Sequence, residues 1–188
     1  MEGYAPKQDI FSTRYEPKIN SFLSLKSRPL ILILGAYFPQ EVQDRLDGLK
    51  LFLQNNGYKN TFLVKDLRDP PRMPQEEEDK YIARKSHFWM NRANVLLFVF
   101  FCKGKNEGVS VELGLATEMV RIGLIKRAAF YEKKCIKTLS RMITGVPKLA
   151  LMDQYYFNKD DDLYVKARAV CFEALKEIIR TGYGFSTY

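Results

Sequence analysis

The chain has 188 residues, with 30 Lys and Arg against 22 Asp and Glu and a formal net charge of +8. Its 46% hydrophobic and 13% aromatic content excludes intrinsic disorder, and the length suffices for one core without metal or disulfide help. The longest apolar run, Val95 to Cys102, is far short of the ~20 residues that cross a bilayer, so no membrane span is expected. Met1-Glu2-Gly3-Tyr4 lacks the basic-then-apolar order of a signal peptide. Cys102, Cys135 and Cys171 show no paired spacing and there is a single His, which points to no conventional zinc site and to reduced thiols in a cytoplasmic protein.

Residues 1–28 are polar and mixed, with a short amphipathic stretch at Ile19, Phe22, Leu23 and Leu25, and read as an N-terminal arm or helix. Leu30 to Leu34 is a continuous apolar run ending at Gly35, the pattern of a strand buried on both faces. Val42, Leu46, Leu49 and Leu53 recur at helical spacing, and Asn55-Asn56-Gly57 supplies a stop. Thr61 to Val64 reads as the second strand, followed by a loop marked by Pro70, Pro71 and Pro74. Gln75 to Arg92 predicts a helix whose acidic first turn, Glu76 to Asp79, complements the helix dipole. Val95 to Phe101, the most hydrophobic segment, is expected at the centre of the sheet. Val109 to Ile122 reads as helix, Arg127 to Tyr131 as a fourth strand, and Ile136 to Ile143 as a short helix stopped by Gly145 and Pro147. Lys148 to Met152 is the expected fifth strand, and Leu163, Ala167, Val170, Ala174, Leu175 and Ile178 trace the buried face of a closing helix.

Five short strands alternating with helices predict one α/β domain over residues 29–182, with a flexible tail at 183–188. The expected architecture is a flavodoxin-like three-layer sandwich with a five-stranded parallel sheet in order 2-1-3-4-5. In such sheets ligands bind past the carboxyl ends of the strands where the order reverses. That places a crevice between Gly35-Ala36-Tyr37-Phe38-Pro39 and the loop from Cys102 to Gly108.

The second of these walls carries the chemistry. Asn106-Glu107-Gly108-Val109-Ser110-Val111-Glu112-Leu113-Gly114-Leu115-Ala116 leaves the central strand as a polar loop and enters a helix. Free N–H groups at such a helix start receive anions. Glu112 is expected near that start, where the dipole favours the charged form that a carboxylate nucleophile needs. A Gly inside a helix costs ~1 kcal/mol, so Gly114 is expected to reflect close packing or a nearby ligand.

The strand Ala93 to Phe100 followed by Gly108-Val109-Ser110-Val111-Glu112-Leu113-Gly114-Leu115-Ala116 resembles the nucleoside 2-deoxyribosyltransferases and their relatives, the 2-deoxynucleoside 5-phosphate N-hydrolases. The resemblance runs from Leu30 to about Tyr131 and implies the same flavodoxin-like fold. It implies that Glu112 attacks the anomeric carbon of a nucleoside or nucleotide and expels the base, and that water or a second base then resolves the glycosyl ester, so that the N-glycosidic bond is cleaved or transferred without metal or cofactor. Asn106, Gly108 and Ser110 fall on the loop and helix start that line the sugar side. Two positions depart from the family pattern. Ser86 stands where family members carry an Asp that holds or protonates the base, and serine is a poor general acid. The family tyrosine of the first strand aligns with Leu32 or Ile33, and Tyr37 is the residue able to reach the site from the next loop. His87, the sole imidazole, is read as structural in preference to a proton donor.

These departures leave a second reading open, a nucleotide-binding sensor that retains the crevice without turnover. A third arises from the segment 121–148, where eight basic residues (Arg121, Lys126, Arg127, Lys133, Lys134, Lys137, Arg141, Lys148) face one acid, Glu132. Such a surface attracts nucleic acid or an acidic partner. Some members of the family insert the chain end into a neighbouring subunit, so the resemblance leaves a homodimer with Tyr183–Tyr188 docked as an alternative to the flexible tail, which is the preferred reading.

Overall fold

A computed structural model describes residues 24–182 apart from 120–123, 125 and 138. Most of the expected arm, the tail at 183–188 and Arg121 lie outside the described residues. The elements follow in chain order: β1 (Ile31–Gly35), α1 (Gln40–Asn55), β2 (Thr61–Leu63), α2 (Glu78–Met90), β3 (Val95–Phe100), α3 (Glu107–Glu118), β4 (Lys126–Glu132), α4 (Arg141–Leu149), β5 (Asp153–Phe157) and α5 (Asp160–Thr181). All strands are parallel, in the order β2-β1-β3-β4-β5 that the sequence predicts. The sheet is in register through Ile33, Leu97 and Ala128.

Side-chain alternation splits the core into two layers. Ile31 and Ile33 of β1 and Val95, Leu97 and Val99 of β3 face Val42, Leu46, Leu49 and Leu53 of α1 and Leu163, Ala167, Val170 and Ala174 of α5. Leu32, Leu34, Leu96, Phe98 and Phe100 face Met90 of α2 and Val109, Leu113 and Ala116 of α3, with Ile143 and Val146 of α4 packed alongside. Every β3 side chain is excluded from water, which is why its sequence is apolar throughout and not alternating.

The first helix begins close against the sheet. A Cβ at Gly35 would lie 2.9 Å from the Leu46 side chain and 3.2 Å from the Val99 carbonyl oxygen, so a larger residue would require both to shift. Farther along α1, Arg45 donates to Asp160 at 2.6 and 2.9 Å and to Glu132 at 3.4 Å, and its guanidinium lies 4.1 Å from the centre of the Phe101 ring. Glu132 is only 8% exposed. Its second oxygen accepts the Cys102 N–H at 2.9 Å, so this buried carboxylate is satisfied on both sides and ties the ends of β3, β4, α1 and α5 together.

Two sequence expectations fail at the carboxyl-terminal third. The fifth strand is Asp153–Phe157 and not Lys148 to Met152, and the short helix is Arg141–Leu149 and not Ile136 to Ile143. The apolar run at 148–152 was misleading because Leu149 and Leu151 are exposed, and Leu151 has φ 52°, outside any strand conformation. The true β5 lies at the sheet edge, half-buried, and so reads as a mixed Asp-Gln-Tyr-Tyr-Phe. Pro147 does not stop α4 because the hydrogen bond it cannot make is replaced. The carbonyl four residues earlier, on Ile143, accepts the Tyr131 hydroxyl at 2.9 Å instead. The cysteines also depart from expectation: Cys102 and Cys135 meet as a disulfide, with Cα atoms 5.2 Å apart, while Cys171 is buried and unpaired with another sulfur.

The carbonyl of Ile143, which Pro147 cannot serve, accepts from the buried Tyr131 phenol. Tyr131→Phe should therefore lower unfolding free energy by about 1–2 kcal/mol in urea titrations, with an unchanged m-value.

Candidate functional site

A cleft of about 270 Å³ opens between α2 and α3. Its walls are two helical stripes with the same spacing: Asp79, Ile82, Ala83 and Ser86 on α2, and Gly108, Val111, Glu112 and Leu115 on α3. Positions i, i+3, i+4 and i+7 share one helix face, so each stripe presents one continuous strip of side chains to the other. Other faces of the same helices are buried through Tyr81 on α2 and through Val109, Leu113 and Ala116 on α3, while Met90 continues the α2 stripe inward, its sulfur 3.9 Å from the Ser86 hydroxyl. The depth of the cleft is closed by a bond across it: the Ser86 hydroxyl donates to Glu112 Oε1. Ser86 is buried at 6% exposure, and Ile82, Val111 and Leu115 form an exposed apolar rim.

Glu112 is the sixth residue of α3 and sits beyond its first turn. The helix dipole fades over that distance, and desolvation takes over. Burial pushes the Glu112 carboxyl up to about 7 from an ordinary 4.5, against the opposing pull of the Ser86 hydrogen bond. The sequence expectation that the dipole would keep this group charged is thus reversed. At neutral pH the carboxyl is divided between its two protonation states.

The remaining candidates take different places. Gly108 lines the cleft, and a Cβ there would meet nothing within 4 Å, so the space beside it is open to a ligand. Tyr37 is not part of the lining. Its hydroxyl oxygen accepts the Val64 N–H at 3.1 Å, and burial and then the charge of Glu112 push the phenol well above its ordinary range. Tyr37 therefore stands within electrostatic reach of Glu112. Gly35 and Ala36 support the adjoining loops and do not line the cleft: Gly35 packs under Leu46, and Ala36 lies against Gly104. Asn106 donates to the Phe101 carbonyl at 2.9 Å, and its buried Oδ1 has no hydrogen-bond partner among the described residues. The Ser110 hydroxyl is spent on the Asn106 carbonyl at 2.6 Å. Gly114 meets no close neighbour, so neither tight packing nor a lining position explains it. The crevice is therefore displaced from the expected one, toward α2 and away from the β1 loop.

Asp79 is the residue that sequence reading missed. It was assigned only to the dipole of its helix, yet it lies seven residues before Ser86 on the same face and lines the cleft mouth. The i, i+7 spacing from Ser86 was the available signal. His87 points elsewhere, with its ring 3.1 Å from the Asn91 side-chain nitrogen on an exposed face. In the basic segment Lys133, Lys134, Lys137, Arg141 and Lys148 are exposed, while Lys126 and Arg127 have partners within the fold. Arg127 donates to the carbonyls of Ala116 and Ala150, and Lys126 pairs with Asp153 at 2.6 Å. Among the described residues, the donors close enough to share a cation are those of Cys102, Glu132 and Cys135, away from the cleft lining. Among the same residues, no helix is long and apolar enough to cross a membrane.

No protein-family profile and no curated protein sequence matches the chain. Solved structures do match its fold. A CMP N-glycosidase from Clostridium botulinum, BcmB, is similar at 16% identity and a TM-score of 0.51, over 74% of this chain and 98% of that one. A conserved protein from Enterococcus faecalis V583 is similar at 14% identity and a TM-score of 0.50, over 78% of this chain and 96% of that one. At these identities the likeness is one of fold.

The position of Glu112 has a consequence for stability. A carboxyl whose folded pKa lies above its unfolded one stabilises the fold fully below the unfolded value, and that contribution is lost as pH rises through the folded value. Wild-type protein should therefore lose thermal stability relative to Glu112→Gln between about pH 4.5 and 7, with the two curves parallel above that range. A thermal-unfolding series across pH 4 to 8 reads this difference directly.

Proposed function

We propose that the cleft between α2 and α3 cleaves the N-glycosidic bond of a nucleoside or nucleoside monophosphate, with Glu112 as the nucleophile. The observation that carries this reading is the Glu112 carboxyl on the cleft wall, with one oxygen held by Ser86 and the other left for attack. The CMP N-glycosidase activity of a protein with the same fold supports it, and points to a pyrimidine nucleotide as the first substrate to try.

In the proposed reaction the free oxygen of Glu112 bonds to the anomeric carbon as the carbon–nitrogen bond breaks. The bond pair leaves on the base nitrogen, which takes a proton from water at the open mouth. Water then attacks the glycosyl ester, releasing the sugar and regenerating the carboxyl. Holding Oε1 through Ser86 fixes the carboxylate plane, and partial exclusion of water strengthens its interaction with positive charge developing on the sugar. Asp79 at the mouth is placed to accept a hydrogen bond from an amino or ring N–H group of the base, taking over the holding role from the position occupied by Ser86. The cleft is small by the standard of ligand pockets, which suits a nucleoside-sized ligand with one end in solvent.

Ser86 in place of a carboxylic acid also favours a second reading, a site that binds a nucleotide without turnover. Base release from CMP, dCMP, the parent nucleosides and NAD, followed by chromatography, separates the two. On the enzymatic reading kcat/KM rises about tenfold per pH unit below the Glu112 pKa of about 7 and levels off above it. Ser86→Ala removes the bond that lowers this pKa, so its rising limb should move to higher pH. Glu112→Gln should lose at least about 10³-fold in kcat while still binding substrate. Binding of CMP with no base release would establish the sensor reading; full activity in Glu112→Gln would end the nucleophile assignment.

A further inference from the structure

Cys102 follows β3 and opens the loop that runs through Gly104 and Asn106 into α3, the helix bearing Glu112. Cys135 ends the single 3-10 turn, Lys133–Cys135, that follows β4. Because β3 and β4 are parallel and in register through Phe100 and Tyr131, the two segments leave the sheet side by side. Their Cα atoms are 5.2 Å apart, inside the range of about 4.4–6.8 Å that a disulfide spans. The dithiol form has a place for its proton as well. Cys135 Sγ lies 3.3 Å from the Glu132 carbonyl oxygen, to which a thiol can donate. The surrounding backbone is held independently of the sulfurs, since Glu132 fixes the Cys102 N–H and is itself fixed by Arg45.

We propose that Cys102 and Cys135 are a reversible dithiol–disulfide pair that fixes the loop feeding the Glu112 helix, with a low-molecular-weight disulfide such as glutathione disulfide as its oxidant. The two sulfurs are not equivalent. Cys102 is open to solvent, whereas Cys135 is 6% exposed, so Cys102 is the sulfur that meets the oxidant. Its thiolate attacks one sulfur of glutathione disulfide and releases one glutathione thiolate, leaving a mixed disulfide. The Cys135 thiolate then attacks the Cys102 sulfur and releases the second glutathione. In sum two protein thiols give up two protons and two electrons, and one glutathione disulfide becomes two glutathiones. The exposed Lys133 and Lys134 beside Cys135 suit the acidic character of that oxidant. Cys171, buried in the other core layer, takes no part.

The full chain, equilibrated in reduced or oxidised glutathione, acid-quenched, then alkylated under denaturing conditions and digested, tests this by mass spectrometry. Three alkylated cysteines are expected from the reduced sample. From the oxidised sample one is expected, at Cys171, together with a linked Cys102–Cys135 peptide that disappears on treatment with dithiothreitol. Cys135→Ser should trap a stable glutathione adduct on Cys102, and Cys102→Ser should take up none on Cys135. Amide exchange over residues 103–110 should slow by about tenfold on oxidation, since closing the loop removes openings of that segment. Three free thiols in oxidised buffer, a linkage to Cys171, or zinc that shields both sulfurs until a chelator is added would overturn the pair. A linked peptide with unchanged exchange at 103–110 would overturn its hold on the loop. None of these readouts depends on glycosidase activity.

Discussion

Burial of β3 on both faces is the constraint from which the rest of the molecule follows. All six residues of Val95–Phe100 are withdrawn from water, and their backbone is paired with β1 on one side and β4 on the other. A strand with no exposed face requires helices above and below, and parallel pairing forces each connection to cross the sheet and return. The loops then gather at the two ends of the strands. At the carboxyl end the chain leaves β3, turns through Gly104 and Asn106, and starts α3, so the placement of Glu112 is set by where the central strand stops. The buried Glu132 and its Arg45 partner act at that same end. They convert what would be a set of separate loop ends into one cross-braced corner.

The cleft gives Glu112 two opposing environments. Desolvation disfavours its charge, and the hydroxyl of Ser86 restores part of what water would have supplied. A fully solvated carboxylate would be ionised but weakened as a nucleophile by hydration. One buried without a donor would stay protonated. With a single donor on Oε1, the group is poised near neutrality. On the proposed reading, this balance is what the site offers a substrate whose sugar becomes positive during reaction.

The order of the sheet was legible because every interior strand is a short apolar run between helical periods, and β1, β3 and β4 were found almost to the residue. The β2 edge was legible to within a residue, whereas the β5 edge was not. At β5 a half-solvated face replaces the apolar run, while Leu149 and Leu151 mimic a strand without being buried. The helix across Pro147 was hidden because its missing donor is supplied from β4, 12 residues away from the carbonyl that needs it. Of the residues that motif and resemblance single out, Glu112, Ser86 and Gly108 line one cleft. The Glu112 environment was misjudged because the helix starts two residues earlier than expected, which weakens the dipole argument, and because desolvation is a tertiary effect. The disulfide was missed for a related reason: the spacing between Cys102 and Cys135 carries no motif, and only adjacency of β3 and β4 brings them together.

On the proposed reading, the pairing of two stripes with identical spacing also bears on how a site with a serine at position 86 can hold a base. A helix face repeats every seven residues, so a function displaced from the depth of a cleft can reappear two turns along at its mouth. Asp79 stands in that position relative to Ser86, in the first turn of α2. The displacement changes the division of labour. A hydroxyl at depth can hold the nucleophile without competing with it for a proton, whereas a second carboxylate there would repel Glu112 and raise its pKa further. A carboxylate at the mouth, in solvent, keeps clear of that repulsion, and on the proposed reading it would meet the end of a ligand away from Glu112. On the proposed reading this separates a reacting group from a recognising one, and the exposed apolar rim of Ile82, Val111 and Leu115 on the same cleft is a surface suited to the flat face of a base.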